Sequence, residues 1–429
     1  MKRLFILSAA VAALASCSNS EVITEVNEPQ VPDKAIAFET FSSNATRESA
    51  ENSGATTTEG LEKHHSNFSV WGYKDVQDTY VFGTASDSEG KSSTGVTVTA
   101  EENPASSGTY IWTYSPIRFW DKGANSYEFY ACAPATTSGT DPYFVLNKKT
   151  DAKSDDYFTL SDVQLDNYTL SSIAYQHSMK TGQVQNSGNA TGGNIDYMIA
   201  DACKITTFTS PVQLHFNHIL SRLNITVKKS AALNNYEVAL TSLVVKNIQS
   251  KGNFDESTQL TTTLNQGTTE RWTTQNSPLI NYVANSLSNV TTNSQYVLQS
   301  LVIPQKVKYE EINRDGTTGT AENKVALDNT NKPYIELAYT IKSTANGTTH
   351  EESFKTYFNL ADVFMPTPTS GTKSGDIAFN EGWQNTLNII IDAAEISFTA
   401  DVYHWDNNKT YNLNSNTGES SQTSTSGGN

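Results

Sequence analysis

At 429 residues the chain is too long for one ordinary core and comfortable for two domains. Hydrophobic residues are 37% and charged residues only 17%, with Thr, Ser and Asn filling the difference, a balance that favours β-structure over helical bundles. A net charge of −16 repels phosphate backbones on average, and Lys148-Lys149 and Lys228-Lys229 are isolated pairs rather than a basic patch, so nucleic acid is excluded as a partner.

The first residues read as an export signal. Met1-Lys2-Arg3 is a basic start, Leu4 to Leu14 is an apolar run of signal-peptide length, and Leu14-Ala15-Ser16 presents small residues before Cys17. Leu-Ala-Ser-Cys resembles the bacterial lipobox, which makes residues 1–16 a lipoprotein signal peptide and Cys17 the acylated residue. The apolar run is too short to remain as a spanning helix, so the expected attachment to the outer membrane is by acyl chains. Residues 17–34, with Glu21, Glu25 and Glu28 among Val, Asn and Pro, form a flexible tether.

Ile36 and Phe38 then alternate with Ala37 and Glu39 and predict a short strand. A polar run leads to Arg47 and Glu48, and no apolar periodicity returns before Gly60. Two readings fit: an ordinary first strand followed by a loop, or a strand that proteolysis in that loop cuts free, which would expose a sheet edge to another strand.

Asn67 to Tyr73 alternates as a strand, Asp87 to Gly108 reads as a polar excursion, and Thr109 to Trp112 and Ser126 to Pro134 read as a strand pair. In the latter, Tyr127, Phe129, Ala131 and Ala133 share one face and Tyr130 and Cys132 the other, so a central strand packed on both sides is expected. Tyr143 to Leu146 and Tyr157 to Leu160 suggest short strands. The texture changes at Pro211, where Val212 to Phe216 and Leu220 to Lys228 alternate cleanly, and the expected domains are therefore 35–210 and 211–406. Val238–Ile248, a turn at Gly252, Tyr296–Ile303, Tyr334–Ile341, Glu352–Leu360, Thr386–Ala393 and Ile396–Trp405 give the spacing of a β-sandwich. Pro304 marks a strand end, and helices are limited to short pieces near Ala231-Ala232-Leu233 and Ala361-Asp362-Val363. Residues 407–429, with only Tyr411 and Leu413 apolar, are expected to be a disordered polar tail.

Catalytic and metal chemistry find little support. His215 and His218 stand at i and i+3, which on a strand point to opposite faces, and His64-His65 has no carboxylate nearby in sequence. Asp155-Asp156 and Glu310-Glu311 diverge in the same way. No phosphate loop, nucleophile elbow or paired-histidine metal helix is present, so neither an enzyme nor a cofactor or metal is expected. The six tryptophans are able to stack on sugars, but core packing is their commoner role. An exported chain permits a disulfide between Cys132 and Cys203, yet their separation and the strand context of Cys132 favour two independent apolar residues.

Several pieces in order resemble the fimbrillin family, the type V pilins of Gram-negative anaerobes. They are the lipobox at Cys17, Phe38 to Thr46-Arg47, Phe119-Trp120 followed by Tyr127 to Ala131 and Pro134, and Asp196 to Ala200. The series continues with Phe216-Asn217-His218-Ile219-Leu220-Ser221, Leu301 to Gln305, and Ile396-x-Phe398 to Trp405. The resemblance implies an all-β chain of two tandem transthyretin-like (Greek-key) β-sandwich domains, export as a lipoprotein, and trimming between Arg47 and Glu48 that removes the strand bearing Ile36 and Phe38. It also implies polymerisation with other pilin subunits by insertion of a neighbour's C-terminal strand, and so a fimbria at the cell surface that supports adhesion. The alternative is a lipid-anchored surface binding module that never polymerises. Arg118, in a connection between strands, is expected to play no part in trimming or assembly.

Overall fold

The computed structural model describes residues 35–42, 61, 65–75, 79–86, 92–102, 110–136, 143–149, 155–166, 183–185, 193–208, 211–258, 268–275, 279–307, 331–345, 347–364, 377–392, 396–404 and 407–414. The first half contributes β1 (Phe38–Ser42), β2 (Asn67–Lys74), β3 (Tyr80–Phe82), β4 (Val96–Glu102), β5 (Tyr110–Thr113) and β6 (Tyr127–Ala133). It continues through β7 (Phe144–Asn147), β8 (Tyr157–Gln164), β9 (Gln183–Gln185), β10 (Gly193–Ile195), β11 (Met198–Ala200), β12 (Cys203–Ile205) and β13 (Val212–His218). The second half contains β14 (Ser221–Lys229), β15 (Glu237–Gln249), β16 (Lys251–Asp255), β17 (Trp272–Thr274), β18 (Leu279–Val283), β19 (Gln295–Val302) and β20 (Gln305–Val307). It closes with β21 (Tyr334–Ala345), β22 (Thr348–Asn359), the short helix α1 (Leu360–Phe364), β23 (Ile377–Phe379), β24 (Trp383–Ile391), β25 (Ile396–His404) and β26 (Asn407–Asn414).

The all-β expectation holds. The first sheet runs β1-β13-β11-β6-β2-β4-β5, with β12 also on β6 and β3 on β2. A second sheet, β17-β16-β8-β7, lies across one face of it. The second half forms β19-β14-β24-β25-β26 and β18-β15-β21-β22, which enclose a core of Leu223, Ile225, Val227, Leu243, Val245 and Leu337 among others. In β14 these inward residues alternate with Arg222, Asn224 and Thr226, which are buried as well. Part of their hydrogen-bonding need is met by side chains: Arg222 Nε donates to Asn224 Oδ1 at 3.2 Å, and Thr226 Oγ1 donates to Asn388 Oδ1 of β24 at 2.6 Å.

The strand β6 is packed on both faces, as its alternation requires. Tyr127, Phe129, Ala131 and Ala133 enter one core with Phe68, Val70, Phe82 and Phe216, while Tyr130 and Cys132 enter another with Trp71, Phe144, Phe158 and Phe254. Cys132 and Cys203 are both buried, in different cores, with no disulfide joining them.

Five expectations are corrected. Val212, Leu214 and Phe216 of β13 enter the first core, so the change of texture at Pro211 marks the start of a strand of the first sheet, and the chain crosses to the second half only at Ile219-Leu220. The halves also share a sheet, because β16 pairs with β8 through Phe254↔Leu160 and Asp255↔Thr159. Gly252 lies inside β16 rather than at a turn, and the polar stretch before Gly108 contains β4, whose Val98 is fully buried against the first core. Asn407–Asn414, expected as disordered tail, pairs antiparallel with β25 as an edge strand, the backbone ladder supplying order where apolar burial alone would not. Residues 415–429 lie outside the described residues.

Candidate functional site: the groove around the first strand

The strand β1 lies parallel to β13, with Phe38 opposite Val212 and Thr40 opposite Leu214, whereas the other pairings described in this sheet are antiparallel. Its inward residues follow the alternation read from the sequence: Ile36, Phe38 and Thr40 are buried, while Glu39 is exposed. Phe38 sits among four rings, its centroid 5.9 Å from Phe68, 5.4 Å from Phe82, 5.7 Å from Tyr114 and 5.9 Å from Phe129, all edge-on.

The other side of β1 is occupied too. The Ile36 N–H donates to the Arg118 carbonyl at 2.9 Å, and Ala35 bridges Phe119. Tyr114 Oη donates to the Ile36 carbonyl at 2.6 Å, and Trp112 Nε1 donates to Thr40 Oγ1 at 3.1 Å. Burial raises the Tyr114 phenol, against the opposing influence of Arg118, so the hydroxyl keeps its proton and serves as a donor. Arg118 Nε donates to the Val81 carbonyl at 3.0 Å and ties this rim to β3. The two ends of the first sheet, β1 and β5, thereby meet, and β1 fills a groove walled by β13 on one side and by residues 112–119 on the other.

This arrangement holds an extended strand. Ile36 and Phe38, chosen from their alternation, are in place. Trp112 and Tyr114 were not singled out for this role, because their contacts with β1 join residues 72 and 78 positions apart and leave no local pattern. Arg118, read from the sequence as part of a connection between strands, is a structural member of the rim: its carbonyl accepts from the Ile36 N–H and its side chain donates to the Val81 carbonyl. Cys17, Arg47 and Glu48 lie outside the described residues, as do His64, Glu310, Glu311 and Trp405. Trp71, Trp120, Trp272 and Trp383 are buried in the protein.

Elsewhere, His215 is exposed and His218 buried, on opposite faces as their spacing requires. Asp196 Oδ2 lies 2.9 Å from His218 Nδ1, and His65 is buried beside them, so the carboxylate that His65 lacks in sequence is supplied by the fold. Among the described residues no group of three or more His, Cys, Asp or Glu is arranged to hold a metal ion.

The family model for fimbrillin-like proteins matches residues 69–405. The chain belongs to the fimbrillin-like family. The matched span covers the groove's walls, β13 and residues 112–119, and begins after β1. Among solved structures, this fimbrillin-like chain is similar to a candidate cell adhesion protein from Bacteroides uniformis, at 14% identity over 88% of this chain and 100% of the other, with a TM-score of 0.40. It is similar also to a candidate adhesin from Bacteroides thetaiotaomicron, at 8% identity over 90% and 99%, TM-score 0.32. A third is the tip fimbrial protein Mfa3 from Porphyromonas gingivalis with a C-terminal truncation, at 10% identity over 87% and 100%, TM-score 0.34. No curated protein matches the chain.

Proposed function

We propose that this fimbrillin-like chain is a structural subunit of a cell-surface fimbria, acylated at Cys17 on the outer membrane, trimmed between Arg47 and Glu48, and assembled with other pilin subunits by donor-strand exchange. The observation that carries this reading is β1 itself. It is one short strand, added in parallel to a sheet whose other described pairings are antiparallel, and residues 43–66 separate it from the next strand. A cut in that interval leaves it bound only by its own contacts. Burying Ile36 and Phe38 contributes roughly 3–6 kcal/mol before ordering costs, enough to keep the groove closed to a weak competitor. After cutting, the strand is no longer held at high effective concentration and a longer donor can replace it. The strand β26 supports the donor half of the reading: among the described residues it lies at the edge of its sheet, paired to β25.

The composition of β26 favours a second reading, a lipid-anchored surface binding module that does not polymerise, because Asn-Asn-Lys-Thr-Tyr-Asn-Leu-Asn offers an incoming groove only Tyr411 and Leu413 as anchors. N-terminal sequencing of protein sheared from cells separates the two. A chain beginning at Glu48 supports trimming, and one still lipidated at Cys17 supports retention. Arg47→Ala is expected to leave monomers where wild type forms ladders on gels, with exposed Lys306→Ala as the control in place of Arg118. Ladders from Arg47→Ala, or from neither form, overturn the polymerising reading.

A further inference from the structure

We propose that the groove around β1 is a sequence-reading site, and that Trp112 is the residue that reads. Resting on the strand-exchange reading above, the inference names the class of strand the groove accepts: an extended segment, parallel to β13, with large apolar side chains at two alternating positions and a hydroxyl at the third, as in Ile36-x-Phe38-x-Thr40.

Each position is imposed by a different part of the wall. The site of Ile36 is fully enclosed, and there the backbone is fixed rather than the side chain: Tyr114 Oη donates to the carbonyl of this residue at 2.6 Å and the Arg118 carbonyl accepts from its N–H at 2.9 Å. Any strand offers these backbone groups, so Tyr114 and Arg118 set register without choosing sequence. The site of Phe38 is a ring of Phe68, Phe82, Tyr114 and Phe129 edges, which demands a large, preferably aromatic group.

The site of Thr40 is different. It is buried, yet what reaches it is the indole N–H of Trp112 at 3.1 Å, held in place because the Trp112 ring packs edge-on against Phe68 at 4.9 Å. An indole nitrogen only donates, so the third position must present an acceptor. A strand carrying Val there has the right shape and leaves the donor unpaired. Sites built to hydrogen-bond a hydroxyl reject the analogue lacking it far more strongly than apolar pockets reject a missing methylene. The groove therefore discriminates chemically at its third position and only by size at the second.

The test uses the mature chain cut after Arg47, with fluorescent peptides of residues 35–42 carrying Thr, Ser or Val at position 40, followed by anisotropy. The Thr and Ser peptides are expected to enter, the Val peptide to bind at least about tenfold more weakly, and Trp112→Phe to bring the Thr and Val peptides within about twofold of each other. Equal binding of Thr and Val peptides to the wild-type groove overturns the hydroxyl rule while leaving strand exchange standing. If no peptide enters the cut chain, it is strand exchange that fails, and hydrogen exchange of the β1 amides in the uncut chain then decides the rule. Thr40→Val and Trp112→Phe must each loosen β1 and be no worse together than the stronger alone; strictly additive effects overturn the proposal.

Discussion

Asp196 Oδ2 lies 2.9 Å from Nδ1 of His218, joining the approach to β11 with the end of β13. His65, fully buried where the chain enters β2, completes this group and belongs to the same segment as Leu61, which is itself buried in the first core. Burial lowers the His65 pKa from 6.5 to about 4, with Asp196 opposing and His218 adding to the shift.

The folded protein thus holds His65 neutral while the unfolded chain protonates it near 6.5. The neutral form contributes fully above that pH, and its contribution is lost as pH falls toward 4. The expected loss between pH 7 and pH 5 is about 2 kcal/mol from this group, at 1.36 kcal/mol per pKa unit. His65→Gln is expected to flatten the dependence by that amount, read as the difference in urea midpoint between the two pH values. An unchanged slope in the variant would refute the assignment.

Glu381 gives the opposite sign. Burial, with the like charge of Glu256 adding, raises its pKa from 4.5 to about 8, although Arg271 lies 3.5 Å away and pulls the other way. A raised folded pKa means that stability is full below 4.5 and falls as pH rises through 8. Glu381→Gln is therefore expected to gain on wild type by about 3 kcal/mol between pH 5 and pH 8, measured by denaturant unfolding at both. The effect is local to the junction of the halves, where the Glu381 N–H donates to the Thr268 carbonyl and the neighbouring Gly382 N–H to the Leu220 carbonyl.

Phe38→Ala removes the ring that four aromatic edges surround and is expected to cost about 3–5 kcal/mol. Exposed Glu39→Ala, one position on, should change stability by less than about 0.5 kcal/mol. Thermal unfolding of the uncut chain compares them, and similar costs would mean that β1 is not seated in the alternation described.

Gly72 lies in β2, where an added Cβ would stand 2.7 Å from Cδ1 of Phe129, a ring that is fully buried and cannot swing aside. Gly72→Ala is expected to destabilise by about 1–3 kcal/mol through overpacking. Gly123→Ala, whose nearest obstruction is the Asp121 carboxylate at 3.2 Å on an exposed turn, should have a much smaller effect in the same melt.

Much of this was determined by the sequence alone, because a strand's face assignment is local. Alternation along 36–40 and 212–218 states which residues point inward, and burial follows it position by position, while along 127–133 the two apolar faces that the sequence shows enter two different cores. The same pattern does not say which strand lies beside which, since any two alternating segments make acceptable partners until turns, lengths and the rest of the core choose between them. Only the tertiary structure therefore decided that β13 belongs to the first sheet, that β16 crosses to pair with β8, and that Asn407–Asn414 finds a ladder despite its polarity. The groove divides along the same line. Ile36 and Phe38 were legible as its contents, but Trp112, Tyr114 and Arg118 became its wall only when the sheet curled far enough to bring β5 against β1, a closure set by the summed twist of the strands between them rather than by any one stretch of residues.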